Sequence, residues 1–256
     1  MVLSNCAHFD RETPSSELSE IMTSADSYCL KYFPIEGLGQ TSRDILAAGG
    51  AKWENLFPEN WATEKDQTPF GCMPLLYINK NGKEVVISES AAIDFYLAKQ
   101  FGMLGSNQYE EALIGAFYTS TSSVMITFVS QVTWNQSEAK KASLETFKER
   151  SFKYWVKAHE RHLIDNGSNG HYVGNELTLA DIRTTAFFNH LSHQPEGPEL
   201  MEIVKAAPAL WKVMETVNNH PKLAKYRASE DYKTLVENTI GFYKDPFAAV
   251  AAMAAK

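Results

Sequence analysis

The chain has 256 residues and a formal net charge of −7; 44% of it is hydrophobic and 12% aromatic. That is enough to bury one large core or two modest ones, and the acidic balance excludes a nucleic-acid partner, which needs clustered Lys and Arg to displace counterions, and disfavours an anionic membrane surface. The 3 cysteines, Cys6, Cys29 and Cys72, are too few and too irregular for a disulfide framework, which predicts a reducing compartment.

Residues 1–26 are polar and rich in Ser, Thr and Glu. They lack the basic and apolar regions of a secretory signal, so a loosely held extension is expected. "SYCLKYF" (27–33) alternates and is aromatic, which predicts a strand. "TSRDILAAGG" places Ile45, Leu46 and Ala48 at helical spacing and stops at Gly49-Gly50. "KWENLF" (52–57) predicts a second strand, and the polar "PENWATEKDQTPFG" (58–71) predicts a loop. "MPLLYI" (73–78) and "EVVIS" (84–88) flank Asn81-Gly82, a strong hairpin signal. A helix from Ser90 follows, with Ile93, Tyr96 and Leu97 on one face.

From Tyr109 onward helical periodicity dominates. "SFKYWVKAHERHLI" (151–164) is amphipathic, and "LTLADI" places Asp181 three residues after Thr178, a capping box with Asp in place of Glu. The closing "AAVAAMAAK" predicts a fraying helix. No apolar run reaches the roughly 20 residues of a membrane span, so a soluble cytoplasmic protein is expected. The predicted organisation is a polar extension (1–26), a small α/β domain of order βαβ-ββα (27–105) and an all-helical domain (109–256).

"VVISESAAIDFYLA" (85–98) sets an acid and a hydroxyl, Glu89 and Ser90, at a strand–helix joint with almost no loop. Two readings are open. Ser90 is an ordinary N-cap with Glu89 offsetting the helix dipole, or the open helix N-terminus holds an anionic ligand.

Four stretches, in this order, resemble the cytosolic glutathione S-transferase superfamily, in its tyrosine-type classes (sigma, pi, alpha and mu). They are "YFPIEGLGQTSRDILAAGG", "TPFGCMPLL", "ISESAAIDFYLA" and "LTLADI". The resemblance spans roughly residues 28–245 and implies a thioredoxin-like first domain, a helical-bundle second domain and a homodimer. It implies glutathione as co-substrate, with the γ-glutamyl carboxylate at Ser90 and its α-amino group at Glu89. The peptide backbone would pair with Met73, held by a cis Met73–Pro74 bond beside Cys72, and the glycyl carboxylate would meet Lys65 and Trp61. Tyr32 would be catalytic, with Tyr28, four residues earlier, as the rival. A thiol with a pKa of about 8.5 is only about 3% ionised at pH 7, and lowering it by about two units costs about 2.7 kcal/mol. A phenolic hydrogen bond aided by a helix N-terminus can supply much of that.

The chain departs from the resembling pattern after Gly37, where Leu38, Gly39 and Gln40 stand in place of a basic residue, and at Cys72 in place of a polar amide or Lys. Cys72 reads either as a small packing residue or as a thiol open to a mixed disulfide. Where the family places an Asp on an early helix of the second domain, the chain reads "YTSTSSV" (118–124). His159/His162 and His190/His193 have metal-compatible i,i+3 spacing but no completing acid or thiol pattern, and read as helix-surface residues; no metal is expected. Phe117, Tyr118, Phe128 and Trp155 read mainly as core, some of them lining a second-substrate pocket with "GFYKDPF" (241–247). The expected activity is conjugation of the glutathione thiolate to small hydrophobic electrophiles. The alternatives are a glutathione-dependent isomerase or peroxidase, or a non-catalytic binding module.

Overall fold

The computed structural model describes residues 27–135 and 137–254; the predicted extension over residues 1–26 lies outside them. β1 (Ser27–Lys31) leads through a 3-10 turn at Gly37–Gly39 into α1 (Gln40–Gly49) and back to β2 (Trp53–Leu56). β1 and β2 pair in parallel, Tyr28 opposite Trp53, as a crossover helix requires. Next come α2 (Trp61–Glu64), the hairpin β3 (Leu75–Lys80) and β4 (Lys83–Ser88), then α3 (Ser90–Gln100). The sheet order is β2-β1-β3-β4, with β3 antiparallel to both neighbours. This is the thioredoxin-like βαβ-ββα arrangement.

The differences from expectation are local. The predicted loop 58–71 holds α2 and a 3-10 turn at Lys65–Gln67. Glu64 closes the short helix by accepting the Asn60 N–H at 2.7 Å and pairing with Lys31 at 2.6 Å, contacts too few to leave a periodicity. β1 ends at Lys31, so Tyr32 stands just past the strand, and β3 begins only at Leu75, since Pro74 has no N–H for a ladder. Asn81 and Gly82, at φ 50° and 76°, form the predicted hairpin turn.

Nine helices follow among the described residues: α4 (Gln108–Phe128), α5 (Lys140–Phe147), α6 (Lys153–Asp165), α7 (Leu179–Ser192), α8 (Gly197–Lys205), α9 (Pro208–Asn218), α10 (Pro221–Arg227), α11 (Glu230–Lys244) and α12 (Pro246–Ala254). α7 is the axis of this helical domain. It is buried along nearly its whole length and packs on α4, α8 and α9, and on α1 of the sheet lobe. Its capping box is complete. The buried Asp181 carboxylate accepts the Thr178 N–H (2.8 Å), the Thr178 hydroxyl (2.9 Å), the Tyr172 N–H (2.8 Å) and His171 Nδ1 (3.2 Å).

One expectation about apolar runs is corrected. Gln108–Thr133 is long and apolar enough to cross a membrane by length and composition alone. The hydroxyls of Thr119–Ser123 interrupt the run in the sequence without offsetting its Leu, Ile, Val, Phe and Met content. In the fold one face of this helix packs on α7, with Ile114, Phe117, Tyr118 and Phe128 in the core.

Two of the four helical histidines expected on the surface are buried. His159 lies between the Ser120 hydroxyl (2.9 Å) and the Tyr172 hydroxyl (2.6 Å), and burial holds its pKa down at about 3. His190 is 4% exposed. His193, half-buried, meets the Glu36 carboxylate at 2.6 Å. The i,i+3 spacing offsets each second residue by about 60° round the helix from the first, which carries it from the core to its rim.

The lobes are joined by a buried polar network. Arg183 of α7 donates to the Thr41 hydroxyl at 3.0 Å and to the Ser122 hydroxyl at 3.1 Å. Asp94 of α3 accepts the Ser42 hydroxyl at 2.5 Å and the Tyr118 hydroxyl at 2.9 Å. Burial raises the Asp94 pKa to about 6, against the pull of Arg183 and the two hydroxyls. The folded protein therefore binds this proton more tightly than the unfolded chain. The contribution is full below about pH 4 and is lost as pH rises through about 6, a swing of about 3 kcal/mol. Asp94→Asn is expected to flatten the fall in urea midpoint between pH 4 and pH 6 seen in the parent. Asp181→Ala, which strands several buried donors, is expected to lower unfolding free energy by about 3–5 kcal/mol in the same assay.

Candidate active site

Tyr32 is buried directly after β1. The 3-10 turn that opens α1 is shaped round its ring. A methyl group on Gly39 would lie 2.9 Å from the ring, and one on Gly37 2.7 Å from the hydroxyl. The Leu38 N–H donates to the Tyr32 hydroxyl at 3.1 Å, and the Arg43 guanidinium lies 5.8 Å above the ring. Burial raises the phenol pKa; the Leu38 N–H, Arg43 and Arg183 oppose this without overcoming it. At neutral pH the phenol keeps its proton. Its oxygen accepts from Leu38, so its hydrogen is available to an acceptor in the adjoining cavity.

That cavity, about 640 Å³, lies between the lobes. Tyr32, Trp61 and Lys65 line it together, although Tyr32 lies 29 positions before Trp61 in the sequence. Met73 packs in the same cluster as Tyr32 and Phe242, against Trp61. The Met73–Pro74 bond is cis. Pairing of Leu75 with Ser88 lays the turn carrying Cys72, Met73 and Pro74 against the Glu89-Ser90 joint. There the Cys72 thiol donates to the Glu89 carboxylate at 3.3 Å. Burial and that carboxylate raise the Cys72 pKa, which keeps it a thiol and lowers its nucleophilicity.

The joint departs from simple capping. The helix begins at Ser90, so Ser90 is its first residue rather than its cap. Glu89 holds the cap position at φ 76° and ψ 122°, a conformation costly for a non-glycine residue, and its side chain makes no cap bond. The first N–H groups of α3 are left open, a cradle for an anion. Tyr28, the rival of Tyr32, packs edge-on against Phe101 at 6.1 Å within the sheet core and is not among the cavity walls.

The remaining walls come from five further segments. Phe33, Ile35 and Leu38 belong to the β1–α1 connection. Met125 and Ile126 lie on α4, which widens into a π-turn at Val129–Thr133 and so presents Val129, Ser130 and Trp134; such turns often mark functional sites. His190 of α7, Phe242 and Tyr243 of α11 and Val250 of α12 complete the enclosure. The "GFYKDPF" stretch was named from sequence and contributes. Phe117, Tyr118, Phe128 and Trp155 are core only. Met125, Ile126, Val129 and Ser130 form a second stripe at helical spacing, a usable signal; no sequence signal singled out His190.

Comparison with known proteins identifies this architecture. A family model described as "Glutathione S-transferase, C-terminal domain" matches residues 124–230. A Caenorhabditis elegans relative named "Probable glutathione S-transferase 7" is 33% identical over 165 residues, covering 60% of this chain and 75% of the relative. The chain belongs to the glutathione S-transferase family. A further relative, named "S-crystallin 4", of Enteroctopus dofleini, is 28% identical over 218 residues, covering 78% of this chain and 95% of the relative. The solved sigma-class glutathione S-transferase of Fasciola hepatica is 26% identical, with a TM-score of 0.70, covering 80% of this chain and 98% of that one.

The tyrosine cradle of this glutathione S-transferase fold leaves no room for a side chain on Gly37 or Gly39. Gly39→Ala forces a methyl into the Tyr32 ring, and thermal unfolding is expected to report a loss of about 1–3 kcal/mol.

Proposed function

We propose that the protein is a glutathione S-transferase that binds glutathione along the sheet lobe and adds its thiolate to small hydrophobic electrophiles held between the lobes. The observation that carries this reading is the Tyr32 hydroxyl. It is buried, oriented by the Leu38 N–H, protonated at neutral pH and faces an apolar cavity. A phenol in that state donates a hydrogen bond to sulfur and favours its ionised form, so the role is electrostatic rather than that of a base.

In this reading each part of the tripeptide has a partner. The γ-glutamyl carboxylate takes the open N–H groups of α3 and the Ser90 hydroxyl. Its α-amino group faces Glu89, whose carboxylate exchanges the Cys72 contact for it. The cysteinyl backbone pairs with the edge at Met73, as an added strand does, with Pro74 ending the ladder. The glycyl carboxylate meets Lys65, which is exposed at the cavity mouth with no acid paired to it among the described residues, and the Trp61 indole. No covalent enzyme intermediate is needed; positioning and sulfur ionisation drive the attack.

The reading extends to organisation and setting. Domain limits of 27–105 and 109–256 follow the change from sheet lobe to helical domain. Homodimer formation is supported by Phe70, 70% exposed in the loop before Met73; an apolar ring of this size in water invites burial by a partner. A cytoplasmic detoxifying role is consistent with the Cys72 thiol, which is not in a disulfide among the described residues.

Retention on immobilised glutathione and turnover of an aryl halide test the proposal. Tyr32→Phe is expected to lower kcat/KM about 100-fold, to raise the pKa of the bound thiol and to leave retention intact. Ser90→Ala is expected to weaken retention instead. An isomerase or peroxidase would show the same retention but would turn over its own substrate class in preference to the halide. Retention without turnover, and no change in thiol pKa in Tyr32→Phe, would identify a binding module.

A further inference from the structure

Between Tyr32 and the Gly37 turn, the loop that cradles the phenol carries one acid, Glu36, and it is completely buried. Its carboxylate is held from the helical domain. His193 Nδ1 meets one oxygen at 2.6 Å, and the Tyr232 hydroxyl donates to the other at 3.2 Å. The other charged groups round Glu36 are engaged elsewhere: Arg227 of α10 pairs with Asp44 of α1 at 2.8 Å, and Arg43 spends its donors on the loop carbonyls and Asn55. His193 is placed for this contact by α7. It ends that helix, its N–H donates to the His190 carbonyl at 3.3 Å, and its side chain is only 20% exposed. A buried carboxylate that loses such a donor is costly and keeps its charge unscreened.

We propose that His193 is a positioning residue for the transferase reaction: it binds the buried Glu36 carboxylate behind the phenol, so that this charge does not oppose the glutathione thiolate. The proposal rests on the glutathione reading above. Glu36 lies close enough to act on the cavity. A methyl group on Gly37, the next residue, would lie 2.7 Å from the Tyr32 hydroxyl. Two cavity walls feel the pair. Burial raises the Tyr243 pKa, and the charges of Tyr32 and Glu36 add to the rise; burial lowers the His190 pKa to about 4, with Glu36 opposing and His193 reinforcing.

A negative charge near a thiol disfavours the thiolate and raises the thiol pKa. At a separation of about 8 Å and an effective dielectric constant of about 20, an unbalanced unit charge raises it by about 1.5. The His193 hydrogen bond offsets part of that field. Leucine in its place would leave the carboxylate with the longer Tyr232 bond alone. Neither His193 nor Glu36 is among the cavity walls, so neither touches the sulfur or the second substrate. His193 reaches the reaction only through Glu36, and its effect should vanish when the carboxylate is removed.

The test follows the ultraviolet absorbance of the bound glutathione thiolate against pH, with turnover of 1-chloro-2,4-dinitrobenzene, in the full chain and in four variants: His193→Leu, His193→Asn, Glu36→Gln and the Glu36→Gln/His193→Leu pair. His193→Leu is expected to raise the bound thiol's pKa by about 0.5–1 and to lower kcat about 2–5-fold at about pH 6.5, with KM for glutathione changed less than about twofold. Asparagine, whose amide N–H stands where Nδ1 does, is expected to restore most of both. In the Glu36→Gln background, His193→Leu is expected to move the thiol pKa by less than about 0.2. A folded His193→Leu with a lower Tm but an unchanged thiol pKa overturns the proposal, as do equal shifts in Leu and Asn or a full shift in the Glu36→Gln background. Should His193→Leu not fold, Tyr232→Phe decides. It removes only the longer bond and is expected to raise the thiol pKa by about 0.2–0.5, and no rise overturns the proposal. Failure of the glutathione reading looks different: no retention on immobilised glutathione and no thiolate absorbance in the parent protein.

Discussion

The site depends on one buried guanidinium. Arg43 is completely enclosed in α1 and pairs with no carboxylate among the described residues; its donors go to the carbonyls of Ile35 (2.8 Å), Glu36 (3.2 Å) and Phe33 (3.2 Å) and to Asn55 (2.8 Å). A planar fork of donors holds a loop in one conformation as no single hydrogen bond can. The loop it holds carries Tyr32 at one end and the Gly37–Gly39 turn at the other. From its middle, Glu36 reaches into the helical domain: its N–H donates to Thr239, and its carboxylate binds Tyr232 and His193. One cation thus fixes the strand end, the cradle of the phenol and the position of α7 and α11 over the cavity. Burial lowers the Arg43 pKa, and the charge is sustained by Tyr226, Tyr32, Glu36 and Asp44 nearby.

This explains how the chain manages without a basic residue after Gly37. Leu38 contributes its backbone N–H instead, at the start of the helical turn where N–H groups are unpaired and the dipole is positive. Arg43 adds a full charge on the face of the same ring. Neither group enters the cavity, so the wall beside the phenol stays apolar. A surface lysine or arginine at position 38 would bring its hydration into that wall; the backbone donor brings none.

The parts of the fold legible in the sequence were those dictated by local chemistry. Proline without an N–H, Asn-Gly at positive φ, a capping box and an apolar stripe each act within a few residues, and the hairpin, α3 and α7 emerged at their predicted places. Tyr32, Met73-Pro74 and Glu89-Ser90 were legible for the same reason, as turn and joint residues. The illegible parts are long-range. Glu36 and His193 are 157 positions apart, and nothing in either neighbourhood announces the other. His190 and His162 look alike in sequence, yet one is buried and the other exposed, because helix phase is set by what packs outside. After α4, Val129 and Ser130 continue the Met125–Ile126 stripe by one turn, and the π-turn that contains them leads on to Trp134 in the same wall.

The two halves of the cavity therefore stand in different relations to the chain. The half proposed for the tripeptide is built mostly within one lobe, from strand ends and a helix start whose backbone geometry is set by residue type. Its ligand is constant, so a fixed backbone suits it. The other half draws side chains from the β1–α1 connection, α4 and its π-turn, α7, α11 and α12, and its lining changes with any shift among them. Substitution there alters shape and polarity while the Arg43-held loop and the α3 N-terminus stay as they are. Family membership consequently says much about the first half and little about the second.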